Sequence, residues 1–305
     1  MLSKNTMVLV KIEGSYAGDP TPTTADNFLA VHNVKINRNL TYNDTQANDG
    51  SISPRAGTLG QKYIEFSFDH ELQVNNSAQT VPPCDPVLLA CGFSKSSGVY
   101  TPRTTSMDSC TFYVYEEDVI QHIHGCRGNL AINLNAGQNA IFSFTMQGLY
   151  EKPADTTFPV TWTDNGGAPL VAINQAFAYH STAFVIDSLT VNMNNTLTQS
   201  PNMDDAVSHG INSINITDRN PEGSFDPEMF KSATYDIWTV YEAVDQKALT
   251  YVLSNGTAKL TISVPKTELM NIQSGDRSGT RIYEFPFRCV RNTGDDEVSL
   301  TFAAA

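Results

Sequence analysis

The feature that most constrains the fold of this chain is an internal repeat. Residues 28–43 (FLAVHNVKINRNLTYN) and 184–199 (FVIDSLTVNMNNTLTQ) are both strand-like runs with Asn and Thr near their ends. Each run leads into a long polar segment and then into a strand that contains Ser-Phe-Asp, at 67–69 and 224–226. The rest of the repeat covers 85–150 and 233–291. A repeat of this length predicts two copies of one small domain, and chains that repeat β domains usually build assemblies.

The size and composition of the chain fit this organisation. At 305 residues it is long enough for two domains that each bury a core. Aromatic and β-branched residues alternate with polar ones, and helix-period runs are few. We therefore expect a mainly β protein with two tandem β-sandwich or half-barrel domains, each with one short helix, over residues 1–155 and 156–305.

Several segments have a distinct predicted role. The first 27 residues are predicted to form an extended arm outside the core, and 170–179 a short strand that mirrors it. Short helices are predicted at 86–93 and 234–243. The segment 151–169, with three prolines and a Gly-Gly pair, is predicted to be the linker. The polar segments 41–60 and 194–221 are predicted to be long loops. Loops of this length are often functional, so we interpret them as contact loops; a solvated hairpin tip is the alternative for the first.

The charge balance limits the partners of the protein. Lys and Arg number 19 against 32 Asp and Glu, which gives a net charge of −13. An acidic chain is not expected to bind nucleic acid or an anionic membrane tightly, because phosphate contacts need cations. The sequence has no signal-peptide pattern and no apolar run of transmembrane length, so we expect a soluble protein made in the cytoplasm. Five cysteines agree with free, buried thiols in a reducing compartment.

Two groups of residues resemble catalytic or metal sites. Glu65, Asp69 and Glu71 share the polar face of a strictly alternating strand, but a solvated acidic face is favoured over catalysis, because two-residue steps place side chains about 7 Å apart. His122 and His124 share a strand face at a spacing that zinc can use, yet the sequence shows no third ligand nearby, which favours surface or packing histidines. No nucleophile-elbow, phosphate-loop, dinucleotide or zinc-protease motif is present. We therefore expect neither an enzyme nor a cofactor.

The last two strands of the first half predict a second polar surface. Leu130, Ile132 and Leu134 are expected to meet Phe142, Phe144 and Met146 in the core. The opposite face is then wide, flat and uncharged, and it carries Asn129, Asn133, Ser143 and Thr145.

A series of phrases along the chain resembles one family. The phrases are MLSKNTMVLVKIEGSYAGDPTPTTADNFLAV, GQKYIEFSFDHELQ, PVLLACGFS, GLYEKPADTTFP, INITDRNPEGSFDPE and DDEVSLTF. In this order, over nearly the whole chain, they resemble tail tube proteins of long-tailed bacteriophages.

This resemblance implies an assembly. Tail tube proteins stack as rings around a central channel, and each unit adds strands to a β-barrel whose inner wall faces the DNA. Six units normally form a ring, so two tandem units imply a homotrimeric, pseudo-six-fold ring. Hexameric rings are the alternative, if residues 151–305 form an outward decoration domain. The implied partners are further copies of the chain, other tail proteins at the tube ends and transient DNA, with no membrane. The implied location is the virion tail, after synthesis in the host cytoplasm.

The resemblance also implies roles for individual residues. An acidic lumen repels phosphate, so DNA slides without sticking. The candidate lumen residues are Glu65, Asp69, Glu71, Asn129, Asn133, Ser143 and Thr145. The candidate inter-ring contacts are Tyr42, Asp44, Asp49 and Arg55 in the first loop, and Met203, Asp204, Asp205 and His209 in the second.

Two other classes remain open at the level of sequence. A capsid decoration or tail-terminator protein would form discrete rings and would not polymerise. A carbohydrate-binding β-sandwich would expose tyrosine and tryptophan platforms, and the chain has only two tryptophans, Trp162 and Trp238.

Overall fold

The fold is mainly β, as predicted. The computed structural model describes residues 5–74, 79–173, 175–204 and 210–305. Strands account for 54% of the chain and helices for 4%, and the main sheet curls into a half-barrel. Alternating apolar and polar residues explain this outcome, since one face of each strand is buried and the other remains accessible.

The first half of the chain contains ten strands and one helix. They are β1 (Thr6–Ile12), β2 (Phe28–Leu29), β3 (His32–Asn43), β4 (Thr58–Glu71), α1 (Asp85–Ala90), β5 (Phe93–Ser96), β6 (Val99–Pro102), β7 (Cys110–Glu116), β8 (Val119–Asn135), β9 (Ile141–Tyr150) and β10 (Ala154–Asp155).

The second half contains eleven strands and one helix. They are β11 (Ala176–Tyr179), β12 (Thr182–Ala183), β13 (Ile186–Asn192), β14 (Asn195–Pro201), β15 (Ile211–Arg219), β16 (Glu222–Pro227), α2 (Ile237–Glu242), β17 (Lys247–Ser254), β18 (Ala258–Leu269), β19 (Gln273–Arg277), β20 (Thr280–Cys289) and β21 (Ser299–Ala304).

The two halves have the same strand order. In the first half, antiparallel neighbours follow the order β2–β1–β7–β8–β9–β4–β3. In the second half, they follow β12–β11–β17–β18–β20–β16–β13. The short strand β11 thus occupies in the second half the place that β1 has in the first. The Ser-Phe-Asp segments lie on the corresponding strands β4 and β16.

The strand β8 joins the two halves. Its first part pairs with β7, and its last five residues pair along the same edge with β13. In this junction Asn133 lies opposite Thr190, and Leu134 lies opposite Leu189. One continuous sheet therefore runs from the first half into the second.

The aromatic core lies on one face of this sheet. In the first half, the rings of Phe66, Phe68 and Phe112 lie within 6 Å of each other, centroid to centroid. In the second half, Phe225 contacts Phe285 in the same way. Burying each such ring contributes roughly 2–3 kcal/mol. Both helices turn apolar residues inward: Val87, Leu88 and Ala90 in α1, and Ile237 and Val240 in α2.

Two sequence predictions about the strands were wrong. The N-terminal arm was predicted to lie outside the core, but β1 pairs with β7 and its residues from Met7 to Val10 are buried. The run Met-Val-Leu-Val has no alternation because both of its faces are covered. The segment 194–221 was predicted to be a loop, but it forms the hairpin of β14 and β15. There the buried Ile211 and Ile214 are separated by Asn and Ser, which obscured the pattern.

Smaller boundaries also differ from the prediction. The first long loop covers only residues 44–57, because β3 and β4 extend into the polar segment. Residues 119–135 form the single strand β8, which bulges between His124 and Arg127. All five cysteines are buried and free, as predicted. Among the described residues, neither helix has the length or the apolar character that crossing a membrane requires.

Candidate assembly surfaces

The polar face of the sheet brings the seven predicted lumen residues together. Cross-strand partners point to the same side of a sheet. Asp69 lies opposite Ser143, Glu71 opposite Ile141, and Ile141 in turn opposite Asn133. By the same registers, Glu65, Asn129 and Thr145 lie on this face, away from the aromatic core. The alternation in the sequence thus identified one continuous surface.

Asp69 accepts more hydrogen bonds than Glu65 on this face. The hydroxyl of Ser143 donates to its Oδ1 at 2.6 Å, and the side-chain amide of Asn33 donates to its Oδ2 at 2.7 Å. Burial on its own would raise the pKa of Asp69, but these hydrogen bonds and the charges of His32 and Lys35 hold the pKa below its usual range. Asp69 therefore keeps a negative charge at this place. Glu65 accepts a longer hydrogen bond from Asn37, at 3.3 Å.

Asn129 has a different role from the other predicted lumen residues. Its amide donates to Oδ1 of Asn192 at 2.7 Å, and its own Oδ1 accepts the backbone N–H of Asn195 at 2.9 Å. Asn129 thus ties β8 to the start of the β14–β15 hairpin. Asn133 donates to the hydroxyl of Ser143 at 3.3 Å and stays on the polar face.

The first predicted contact loop, 44–57, is ordered by its own side chains. The hydroxyl of Tyr42 accepts the backbone N–H of Gly57 at 2.8 Å and closes the base of the loop. The guanidinium of Arg55 contacts the carboxylate of Asp49 at 2.6 Å. Asp44 is exposed, and the side chain of Ile52 is fully exposed. Ile52 is thus an apolar side chain that the described part of the chain leaves uncovered.

The second predicted contact segment lies mostly against the first half of the same chain. Arg127 on β8 donates to the carbonyl of Ile214 at 2.9 Å, and Gln199 donates to Gln147 on β9 at 3.0 Å. Gln61 on β4 donates to the carbonyl of Gly210 at 3.1 Å. The β14–β15 hairpin therefore crosses β8, β9 and β4. Met203 and Asp204 are exposed beyond it, and the predicted contacts Asp205 and His209 lie outside the described residues.

The corresponding hairpin of the first half has no such cover. The strand β3 is the counterpart of β13 together with β14. The strand β4 is the counterpart of β15 together with β16. On the far part of the β3–β4 hairpin, Leu40, Tyr42 and Leu59 are 39%, 60% and 56% exposed. In the β14–β15 hairpin, Ile211 and Ile214 are both fully buried. One hairpin is thus packed against the chain, and its counterpart presents apolar side chains to solvent.

Two strand edges lie at corresponding places and have no partner. Across the described ranges, β3 pairs only with β4, and β19 pairs only with β20. β3 corresponds to β13, since Lys35 lies opposite Ser67 as Thr190 lies opposite Ser224. β19 corresponds to the end of β8, since Gly275 lies opposite Ile282 as Asn133 lies opposite Ile141. The free edges are therefore the counterparts of the two strands that form the internal junction. Neither free edge could be predicted from the sequence.

Comparison with known proteins identifies the family. Among curated proteins, none matches the sequence significantly. A family model described as phage tail tube protein matches residues 3–289, which include both halves of the sheet. The chain therefore belongs to the phage tail tube protein family, a family of structural proteins of the virion tail.

Proposed function

We propose that this protein polymerises into stacked rings that form the hollow tail tube through which DNA passes, and that three copies close each ring. Membership of the family supports self-assembly together with other tail components. The observation that carries the proposal is the junction between β8 and β13, whose two strands have free counterparts in β19 and β3.

In this proposal, each ring closes by repeating the internal junction between copies. The edge of β3 in one copy pairs antiparallel with the edge of β19 in the next. Transferring the register of the internal junction places Lys35 opposite Gly275 and Asn37 opposite Gln273. Pairing supplies partners for backbone groups that otherwise form an exposed edge, which is a known aggregation hazard. A closed ring leaves no free edge of this kind.

The charges on the two edges are complementary. A carboxylate oxygen of Glu284 lies 3.2 Å from the position that a Cβ on Gly275 would occupy. The proposed register places Lys35 opposite Gly275 on the same face, where its ammonium group can reach this carboxylate. Both side chains are exposed, and neither forms an ion pair within the part of the chain that the structure describes. The ring contact would therefore supply a partner for each charge.

The exposed hairpin fits the same arrangement. Within the chain, the β14–β15 hairpin covers β8, β9 and β4 of the first half. If the pattern repeats between copies, the β3–β4 hairpin covers the second half of the neighbouring copy. This contact would bury Leu40, Tyr42 and Leu59. In this arrangement the hairpin strands make contacts within a ring, and the exposed Ile52 and Met203 remain for contacts between rings.

The number of strands is consistent with a DNA-sized channel. Each chain contributes eight strands side by side, in the order β3, β4, β9, β8, β13, β16, β20 and β19. Three copies of eight strands, spaced by about 4.8 Å and tilted by about 40°, close a barrel of about 45–50 Å between opposite backbones. This leaves a channel wide enough for duplex DNA after the side chains are placed. Six copies would double the diameter, which favours the trimeric ring.

The polar face suits the inner wall of such a channel. Glu65, Asp69 and Glu71 place negative charge there, and Asn133, Ser143 and Thr145 add uncharged polar groups. Carboxylates repel phosphate at short range, so DNA would pass without tight binding. A carbohydrate-binding module would not require matching free edges on one chain. A decoration protein or a tail terminator would use such edges to close a single ring, but its rings would not stack.

A disulfide cross-link tests the proposed ring. With Asn37→Cys and Gln273→Cys in one chain, oxidation of assembled protein should give covalent dimers and then closed trimers, because these residues are opposed in the proposed register. The native thiols do not interfere, since all five are buried. The control pair Thr41→Cys with Gln273→Cys is displaced by about 13 Å and should not cross-link. Electron microscopy of the same samples should show long hollow tubes. Discrete particles, or covalent ladders that extend to hexamers, would contradict the proposal.

A further inference from the structure

Three side chains with metal-binding groups meet at the end of β8 that is far from the junction. His122 and His124 lie on β8, and Glu151 follows the last residue of β9. One carboxylate oxygen of Glu151 lies 2.8 Å from Nε2 of His124, and the other lies 3.4 Å from Nδ1 of His122. The three ligand atoms all lie within 4.8 Å of one another. The sequence-based expectation that no third ligand lies nearby was wrong, because the pairing of β8 with β9 brings Glu151 alongside.

A buried carboxylate beneath this cluster orients one of its imidazoles through Thr111. Glu13 is 8% exposed, and its two oxygens accept four hydrogen bonds. The donors are the backbone N–H groups of Ala17 and Gly125, at 2.7 Å each, and the hydroxyls of Ser109 and Thr111, at 2.5 and 2.7 Å. All four groups donate, so both oxygens of Glu13 act as acceptors. The hydroxyl proton of Thr111 therefore points to Glu13.

This arrangement fixes the tautomer of His124. Because the Thr111 hydroxyl donates to Glu13, its oxygen must accept from Nδ1 of His124, which lies 3.2 Å away. With the proton on Nδ1, a neutral imidazole directs the lone pair of Nε2 toward the carboxylate of Glu151. Two acceptors at 2.8 Å repel each other unless a cation lies between them. A metal ion bound to both atoms would be such a cation.

The second imidazole is also held in place. The ring of Tyr113 stacks on His122 with centroids 4.0 Å apart and an angle of 19° between the planes. The hydroxyl of Tyr113 in turn donates to Asp19 at 2.5 Å. Because Asp19 holds Tyr113 in place, the stacked ring of His122 keeps Nδ1 turned toward Glu151. A site of this kind is more ordered than three exposed side chains that meet by chance.

We propose that His122, His124 and Glu151 bind a divalent transition metal ion, with Zn²⁺ the preferred ion. The ligands are Nδ1 of His122, Nε2 of His124 and the carboxylate of Glu151. Zn²⁺ uses this set of two imidazoles and one carboxylate, with a water molecule in the fourth position. The 3.4 Å between Glu151 and Nδ1 of His122 matches the separation of about 3.4 Å between ligands in a tetrahedral site with bonds of about 2.1 Å. The 2.8 Å between Glu151 and Nε2 of His124 is a hydrogen-bond distance and would have to lengthen by about 0.6 Å when the ion binds. The bound ion would fasten the chain after β9 to β8 and hold Glu151 at the start of the linker.

Metal titration of the full-length, metal-free protein tests this proposal. Isothermal titration calorimetry with Zn²⁺ should give one site per chain. Glu151→Gln should abolish the saturable binding or weaken it by at least about 100-fold, as expected for loss of a direct ligand. Glu151 is about half exposed, so this variant should keep its fold, and circular dichroism checks that it does. His180→Ala is the matched control, since His180 contacts Tyr235 away from the cluster and its loss should leave the affinity unchanged.

A second pair of variants tests the positioning role of Thr111. Thr111→Val removes the hydroxyl that orients His124 without removing a ligand, and should weaken binding by about 10–100-fold. Thr111→Ser keeps the hydroxyl and should restore the affinity. Bound Co²⁺ should show the absorption of a tetrahedral site, and Thr111→Val should change that spectrum. If Zn²⁺ shows no saturable binding, or if Glu151→Gln binds as tightly as the parent, the proposal is wrong.

Discussion

The guanidinium of Arg127 donates a hydrogen bond of 2.8 Å to the side-chain oxygen of Asn215, and this contact connects the two halves of the chain. Arg127 lies on β8, and Asn215 lies on the hairpin strand β15. The same guanidinium also donates to the backbone carbonyls of Met107, Asp108 and Ile214. The Cζ atom of Arg127 lies over the ring of Tyr16, 5.1 Å from the ring centroid. One planar cation thus satisfies four acceptors from two separate segments, 107–108 and 214–215.

Arg127→Ala should lower the free energy of unfolding by about 3 kcal/mol, because it leaves several acceptors in a partly buried place without a donor. Arg127→Lys should recover only part of this loss, since an ammonium group cannot reach all four acceptors. Urea unfolding measures both changes. The exposed Arg291→Ala is the control and should change stability by less than about 0.5 kcal/mol. A similar small change for Arg127→Ala would show that the hairpin is held by other contacts.

The phenylalanines of the two Ser-Phe-Asp segments should contribute equally to stability. Phe68 and Phe225 are both almost completely buried, and each packs against two or more aromatic rings. Phe68→Ala and Phe225→Ala should each cost about 3–5 kcal/mol, which combines lost burial with a cavity. Phe158→Ala, at a partly exposed position, should cost much less. Thermal and urea unfolding of the three variants would reveal unequal halves if only one of the core substitutions is severe.

His70 should make the protein less stable in mild acid. It is buried on β4, and burial lowers its pKa by disfavouring the imidazolium, although Ala30, Asp164 and Glu71 act in the opposite direction. As the pH falls below about 6.5, the unfolded chain takes up a proton on this residue before the folded chain does. The contribution of His70 is therefore complete above pH 6.5 and is lost below it, by up to about 1.4 kcal/mol per pH unit.

His70→Phe removes this titration. Between pH 6.5 and 5.5 its stability should fall less steeply than that of the parent, whatever the difference in absolute stability at neutral pH. Phe158→Ala, which removes no titratable group, is the control and should keep the parental slope. Equal slopes for the parent and His70→Phe in urea unfolding would show that His70 is protonated without cost in the folded chain.

Charge exchange tests the pairing of Lys35 with Glu284 in the proposed ring. Lys35→Glu and Glu284→Lys should each prevent tube formation, because each places like charges together at the contact. Both residues are exposed, so the unfolding free energy of the subunit should change by less than about 0.5 kcal/mol. The double variant should form tubes again, since the charges are only exchanged. Electron microscopy and sedimentation give the readout. If both single variants form tubes and the double variant does not, the proposed register is contradicted.

Ile52 tests the contact between rings. Its side chain is fully exposed at the end of the 44–57 loop, so Ile52→Asp should leave subunit stability unchanged. In the proposed tube, the charge would lie in an apolar contact and should reduce tube length while single rings still form. Val244→Asp, at an exposed position after α2, is the control and should leave tubes intact. Normal tubes from Ile52→Asp would remove this loop from the stacking surface.

The sequence predicts the fold class and the polar face, because both depend on local alternation. The strand around Phe66 and Phe68 shows its pattern directly. Strand β1 could not be predicted in this way, since its residues from Met7 to Val10 are apolar on both faces and resemble any short buried segment. The β14–β15 hairpin was missed because Asn, Ser and Thr around Ile214 are typical of loops as well as of partly exposed strands.

The candidate surfaces were predictable only in part, for a related reason. Glu65, Asp69 and Glu71 were placed on one face by their spacing within a single strand. The approach of Glu151 to His122 and His124, and the free edges of β3 and β19, depend on which distant strands become neighbours. Spacing within a strand carries no information about such pairing.

The presence of β8 and β13 on one chain also changes how assembly depends on concentration. Their pairing is intramolecular, so it forms at an effective concentration on the order of millimolar, however dilute the protein is. In the proposed ring, half of the junctions are thus already present in every dissolved subunit, and only the other half depends on encounters between molecules. Dilution should therefore separate rings into whole chains with the internal junction intact, and the nucleus for growth needs three molecules to meet where separate units would need six.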